Sequence, residues 1–232
     1  GWNSGEFGMF GVEMREHDER YAFTAEWMTI VRRLWDEDAP FDFKGRYFDL
    51  KGVSGRPKLW GGGRPLLMSA GSSPAGRAFA AGNADCLFMV IVGLETLAQD
   101  LRAIRAAAAG RTIGVYASGH VVCRRTQKEA EEYHRYVVHD MGDWDAVERV
   151  LETPANQRSI PPERLEEMKE RMIGGLGTFA IVGSPDHVAE TFKRLSDAGL
   201  DGMAIGFVNY LDELPFIRDA LLPRLERLDR SG

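Results

Sequence analysis

Two stretches of the chain carry side chains whose types and spacing could do chemistry. The first is the run Pro65-Leu66-Leu67-Met68-Ser69-Ala70-Gly71-Ser72-Ser73-Pro74-Ala75-Gly76. It reads as a buried strand that stops at Gly71 and turns directly into a helix. Ser73 suits the N-cap and Pro74 the first helical position, where a missing N–H leaves nothing unpaired. Free N–H groups, the positive end of the helix dipole and two adjacent hydroxyls, Ser72 and Ser73, suit an anion, above all a phosphate. A plainer reading stays open beside it, in which the two serines only cap the helix. The second stretch is the strand 112–123. Tyr116, Ser118 and His120 share one face of it, and Ile113, Val115, Ala117, Val121 and Cys123 share the other. The aliphatic face should meet helices, which leaves the polar face for a sheet interior, with His120 nearest the strand's carboxyl end. A lone strand histidine can equally be structural.

The spacing of ligand-type residues does not point to a metal. Cys86 and Cys123 lie far apart in apolar runs and read as reduced core residues of a cytosolic, cytoplasmic protein. His17, His134, His139 and His187 fall on helices among charged neighbours, with no ligand partner in register, and are expected at the surface. The net charge of −6 disfavours a general role on nucleic acid or on an anionic membrane. No apolar run approaches the roughly 20 residues that span a bilayer.

The elements that must position these residues alternate between strand and helix. Residues 15–35 form an amphipathic helix with a wide apolar stripe, and 41–50 alternate about Lys44-Gly45 as a short hairpin. Strand 65–70 leads to helix 73–83, strand 85–92 to helix 94–109, and strand 112–123 to helix 126–140. A polar, proline-interrupted stretch at about 142–177 reads as an insertion. Helix 185–198, strand 202–208 and a helix over about 211–229 complete the chain. Four continuous apolar strands in βα units argue for a parallel sheet covered by helices. An eight-unit barrel takes about 250 residues, so the pattern fits roughly the second half of a (β/α)8 TIM barrel. The rival is an open doubly wound sheet, but no GxGxxG run follows a strand to support dinucleotide binding.

Several motifs then stand in order: Gly1-Trp2-Asn3-Ser4-Gly5-Glu6-Phe7, His17-Asp18-Glu19-Arg20-Tyr21, Phe41 to Phe48, Ala70 to Gly76, Ala84-Asp85, Gly183-Ser184-Pro185 and Gly199-Leu200-Asp201-Gly202. Together they resemble the bacterial luciferase-like flavin monooxygenases, most closely the group with pyrimidine and alkanesulfonate monooxygenases. The resemblance implies a flavin-dependent (β/α)8 barrel in which residues 1–232 supply strands five to eight. The hairpin at about 41–52 and the insertion at about 142–177 would be excursions from it, and strands one to four would precede this sequence. It implies a cofactor site in which Glu6, Arg20, Tyr21 and the serines Ser72 and Ser73 hold FMN, with Arg20 and Ser73 at the phosphate. Arg20 has a plainer reading as a solvated charge paired with Glu16 or Glu19, and Tyr21 as a core residue.

A histidine at the position of His120 lies in the pocket of the alkanesulfonate enzymes, which gives His120 the substrate side. Those enzymes carry an arginine where this chain has Ser118, and another where Ile173 precedes Gly174-Gly175. A sulfonate would lose two cationic partners here, so a small neutral molecule such as a heterocycle fits better. The implied activity is a two-component monooxygenase that uses reduced FMN and O2 on a small organic substrate. Its partners would be a separate NAD(P)H flavin reductase and further copies of itself in a homodimer or higher homo-oligomer. The alternatives are a deazaflavin-dependent oxidoreductase on the same barrel, or an inactive half-barrel fragment that serves as a binding or dimerisation module.

Overall fold

The computed structural model describes residues 4–71, 73–152 and 164–229. By internal contacts these fall into two units, one of residues 4–87 with 104–114 and one of residues 88–103 with the chain from 115 onward.

In the first unit, α1 (Ser4–Met9) is followed by the long helix α2 (His17–Asp36), which buries Met28 and Ile30. The hairpin β1 (Phe41–Lys44) and β2 (Asp49–Val53) pairs Phe43 with Leu50 and Lys44 with Asp49. Its turn is tied to α2 by Glu26, whose carboxylate accepts from the backbone N–H groups of Arg46, Tyr47 and Phe48 at 2.9–3.0 Å. Phe23 packs on the rings of Tyr47 and Phe48 at 5.4 and 4.9 Å. Strand β3 (Met68–Ala70) enters α3 (Pro74–Asn83) through the Ser73 cap. The chain before β3 lies beside the start of β4 (Cys86–Met89), where Cys86 N–H donates to the Leu67 carbonyl at 3.0 Å. Arg111 closes the far end of α3 by donating to the carbonyls of Ala81 and Ala84.

The second unit is organised around β5 (Gly114–Cys123). It pairs in parallel with β6 (Phe179–Gly183) from Gly119↔Phe179 to Cys123↔Gly183. It also pairs in parallel with β7 (Gly202–Gly206) from Tyr116↔Gly202 to His120↔Gly206. Val115, Ala117 and Val121 are fully buried, as the alternation along the strand predicts. Helix α4 (Leu94–Ala107) follows β4, and α5 (Gln127–Arg135) starts at a Thr126/Glu129 capping box and runs into a π-helical turn, Tyr136–Asp140. Helices α6 (Trp144–Leu151) and α7 (Leu165–Gly175) lie within the expected insertion, and α7 stops where Leu176 and Gly177 turn left-handed (φ 54° and 80°). Helix α8 (Pro185–Asp197) is capped by Ser184, whose Oγ accepts from His187 N–H.

Two elements differ from expectation. Among the described residues the parallel sheet has five strands rather than four, because Phe179–Gly183 joins it. This run is short and sits between a glycine turn and a capping serine, so only its pairing with β5 makes it a strand. The last helix is broken into α9 (Tyr210–Phe216), a π-helical turn at Ile217–Leu221 and α10 (Leu222–Asp229). Pro215 removes a donor there and the backbone bonding shifts to wider loops. The strands make an α/β parallel sheet; among the described residues they do not close into a barrel. Cys86 and Cys123 are both buried.

Candidate functional site

At the start of α3, Ser73 acts as the N-cap, its Oγ accepting from Gly76 N–H at 3.1 Å. The hydroxyl keeps its own proton for a further acceptor. Tyr21 comes to the same place from α2. A Cβ on Gly76 would lie 2.6 Å from Tyr21 Oη, 3.1 Å from Gly71 Cα and 3.2 Å from Ser73 Oγ, and one on Gly71 would lie 3.3 Å from Tyr21 Oη. Only glycine at these two positions lets a phenol hydroxyl reach the first turn of α3. The Tyr21 ring packs on Phe79 at 5.8 Å. One turn earlier on α2, His17 meets Tyr21 edge-on at 5.3 Å, a contact that its exposed neighbours in the sequence did not signal.

The other expected cofactor residues are placed differently. Arg20 turns Nη1 back to the Arg15 carbonyl at 2.6 Å, while Glu19 pairs with Arg46 at 3.2 Å. Glu6 is exposed on α1. Ser72 lies outside the described residues.

His120 is buried, at 6 % exposure, between β5 and the end of α7. Thr178 Oγ1 donates to the Gly175 carbonyl at 2.6 Å and stands 3.0 Å from His120 Nδ1. With the hydroxyl proton committed, Thr178 must accept from Nδ1–H, which assigns the lone pair of the ring to Nε2. Among the described residues, that Nε2 is buried without a hydrogen-bond partner. His134 stacks beside it, the ring centroids 5.9 Å apart and the planes 11° from parallel. Burial, and then the charges of His134 and Arg171, push the His120 pKa down to about 4, so the ring is neutral near pH 7. Burial lowers His134 as well.

The surface expected for His134 is thus corrected. It is half-buried against His120 and lines a cavity of about 240 Å³ with Val92, Glu170, Arg171 and Phe179. Nothing in the spacing joins residues 120 and 134, because the contact is made by packing between separate elements. Arg171 is a second residue that sequence reasoning passed over. It is buried and donates to the carbonyls of Ile91 at 2.7 Å, Gly177 at 3.2 Å, Thr178 at 3.3 Å and Val92 at 3.3 Å. Its donors hold main chain, Glu167 stands 3.7 Å from its Nη1, and it lines the same cavity as His134.

A family model described as luciferase-like monooxygenase matches residues 1–202. The chain belongs to this family. Among luciferase-like relatives, it is 28% identical to the FMNH2-dependent dimethylsulfone monooxygenase of Pseudomonas fluorescens (strain Pf0-1), over 100% of this chain and 65% of that protein. It is 27% identical to the pyrimidine monooxygenase of Cronobacter sakazakii, over 99% of this chain and 69% of that protein. The chain thus spans about two thirds of the length of these relatives. Among solved structures, a riboflavin lyase superposes with a TM-score of 0.79 at 24% identity, covering 95% of this chain and 60% of that one. That likeness carries the luciferase-like fold.

Proposed function

We propose that the protein is a two-component monooxygenase that binds reduced FMN and oxidises a small organic molecule with O2. Family membership supports the class, and the relative named as FMNH2-dependent supports the cofactor. The observation that carries the reading is the cradle at α3, where Tyr21 Oη and Ser73 Oγ meet over Gly71 and Gly76 at the positive end of a ten-residue helix. A phosphate fits this donor set: two hydroxyls with protons to give, and first-turn N–H groups. Bound reduced FMN would supply the electrons that activate O2. Tyr21, Ser73 and Ser72 would hold its phosphate, with Arg20 adding charge once it leaves the Arg15 carbonyl, and Glu6 would contact another part of the cofactor.

On the substrate side, neutral His120 accepts hydrogen bonds and excludes a fixed positive charge. With the Arg171 donors held by main chain, this favours a neutral substrate such as a heterocycle over a sulfonate. The end of α7 lies on His120, and Leu176 and Gly177 provide the left-handed turn that follows it. The five sheet strands, one more than the four read from the sequence, correspond to the later strands of a (β/α)8 barrel, with the β1–β2 hairpin as an excursion. A separate flavin reductase supplies the cofactor, and the protein works in the cytoplasm as a homo-oligomer. Titration of FMN into the protein expressed from its complete reading frame tests the site. Ser73→Ala with Arg20→Ala should weaken binding by several kcal/mol, about 1.5–3 for each charge-assisted contact; unchanged affinity overturns the assignment.

A further inference from the structure

We propose that Thr178 is the positioning residue of His120: it imposes the tautomer that keeps the proton on Nδ1 and leaves Nε2 an acceptor. The sheet brings the two residues together. His120 belongs to β5 and Thr178 stands directly before β6, and the parallel register of Gly119 with Phe179 and His120 with Ala180 sets one beside the other. Thr178 is itself held from three sides. Its Oγ1 donates to the Gly175 carbonyl at 2.6 Å, its backbone N–H donates to the same carbonyl at 3.0 Å, and its own carbonyl accepts from Arg171 Nε at 3.3 Å. The χ1 of a threonine is restricted in any case, and these bonds keep its hydroxyl oxygen 3.0 Å from His120 Nδ1.

The neutral ring has two ways to sit in this surround. With the proton on Nδ1, Thr178 Oγ1 accepts it and keeps its own proton on Gly175, and the buried Nε2 is a bare lone pair. With the proton on Nε2, that N–H is a buried donor without an acceptor among the described residues, and Thr178 must release Gly175 in order to donate to Nδ1. Orphaned buried N–H groups are rarer in proteins than under-used acceptors, and the first arrangement also keeps one more hydrogen bond. A neutral histidine side chain in water favours the Nε2–H form. The tautomer of His120 is therefore one that the protein imposes, through the group that Nδ1 meets.

The Gly175 carbonyl, the Thr178 hydroxyl and the His120 Nδ1–H form a row in which each bond polarises the next. An imidazole that works as an acceptor or base needs such a group behind it, to fix the tautomer and the plane of the ring. A carboxylate in that place would also draw the ring toward the imidazolium. Thr178 carries no charge, so it orients His120 and leaves it neutral, in keeping with a pKa of about 4.

The part this plays in oxidation rests on the reading of His120 as a substrate-side residue; the tautomer is measured without flavin or substrate. The protein expressed from its complete reading frame is labelled with ¹⁵N-histidine, and the ring nitrogens are recorded by NMR at pH 7, with His120→Gln used to assign the signals. In the wild type, His120 should show a protonated Nδ1 and an unprotonated Nε2. Thr178→Val keeps the shape and removes the acceptor, and should move the ring toward the Nε2–H form. Thr178→Ser returns the hydroxyl and should return the wild-type pattern, whereas a merely structural threonine would leave the tautomer alike in all three proteins. An Nε2–H ring in the wild type overturns the proposal without any variant at Thr178, and a valine variant with wild-type nitrogen signals overturns it as well. On a neutral substrate, kcat/KM should fall about tenfold in Thr178→Val and recover in Thr178→Ser. A tautomer that moves while turnover stays the same would remove the substrate-side reading of His120 and leave Thr178 as the residue that sets the ring.

Discussion

Gly175 lies so close to His120 that a Cβ on it would fall 2.3 Å from Nδ1 and 2.7 Å from Thr178 Oγ1. The end of α7 and the histidine of β5 are thereby fitted to each other at van der Waals limits. Gly175→Ala must push the imidazole aside or lift the helix end, at a cost of about 1–3 kcal/mol for overpacking. The Nδ1–H bond to Thr178 is lost with it, and the His120 pKa moves back toward its ordinary value. Denaturant unfolding and an NMR titration of the ring check both effects; a variant with unchanged stability and titration would show that the contact is looser than this.

Stability should depend on pH through His120. A histidine held below its unfolded pKa contributes stability above about pH 6.5. That contribution is lost as pH falls through the folded value of about 4. At its full extent the term is on the order of 3 kcal/mol. The stability of His120→Gln should therefore fall less steeply between pH 6.5 and 4 than that of the wild type. Parallel slopes in urea melts at pH 7, 5.5 and 4.5 would contradict the burial argument.

Arg171 should be irreplaceable by lysine. Its planar fork reaches carbonyls on both sides of α7, including Ile91 at 2.7 Å and Gly177 at 3.2 Å, which a single ammonium cannot span. Arg171→Lys and Arg171→Met should each cost about 1–3 kcal/mol for every carbonyl left without a donor. Amide hydrogen exchange at 174–178 should speed up in both. Protection at wild-type levels in the lysine variant would refute the claim.

The phenol of Tyr21 is expected to serve the cofactor rather than the core. Tyr21→Phe keeps the ring against Phe79 and removes only the hydroxyl that faces Gly71 and Gly76. FMN affinity should fall by about 1.5–3 kcal/mol, roughly ten- to a hundredfold, with the melting temperature nearly unchanged. The opposite pattern, a lower melting temperature with intact affinity, would return Tyr21 to a structural role.

What could be read from the residues was what local chemistry decides. Ser73-Pro74 announces a capped helix start, and the alternation through Val115, Ala117 and Val121 announces a strand whose aliphatic face is buried; both are present, and from Gly119 to Cys123 the strand is buried on its other face as well. The site was legible only in part. Ser73 could be assigned from its neighbours, but the approach of Tyr21 depends on two glycines whose partner no local pattern names. His134 and Arg171 were missed for the same reason: the first is joined to His120 only by packing, and the second is a charged residue whose burial is made possible by carbonyls from Ile91 to Thr178. Strand β6 needed its neighbour β5 to exist at all.

The central claim is that the protein uses reduced FMN to place one atom of O2 in a small organic molecule. The direct measurement is isotopic. The protein expressed from its complete reading frame is supplied with FMN, a flavin reductase, NADH and ¹⁸O2, and is offered uracil as a neutral heterocycle and dimethylsulfone in separate reactions. The account predicts one ¹⁸O atom in an oxidised product of a neutral substrate, dependent on the reductase and on Ser73. Absence of label with either substrate, together with hydride transfer to or from an added deazaflavin or no binding of FMN at all, would contradict it.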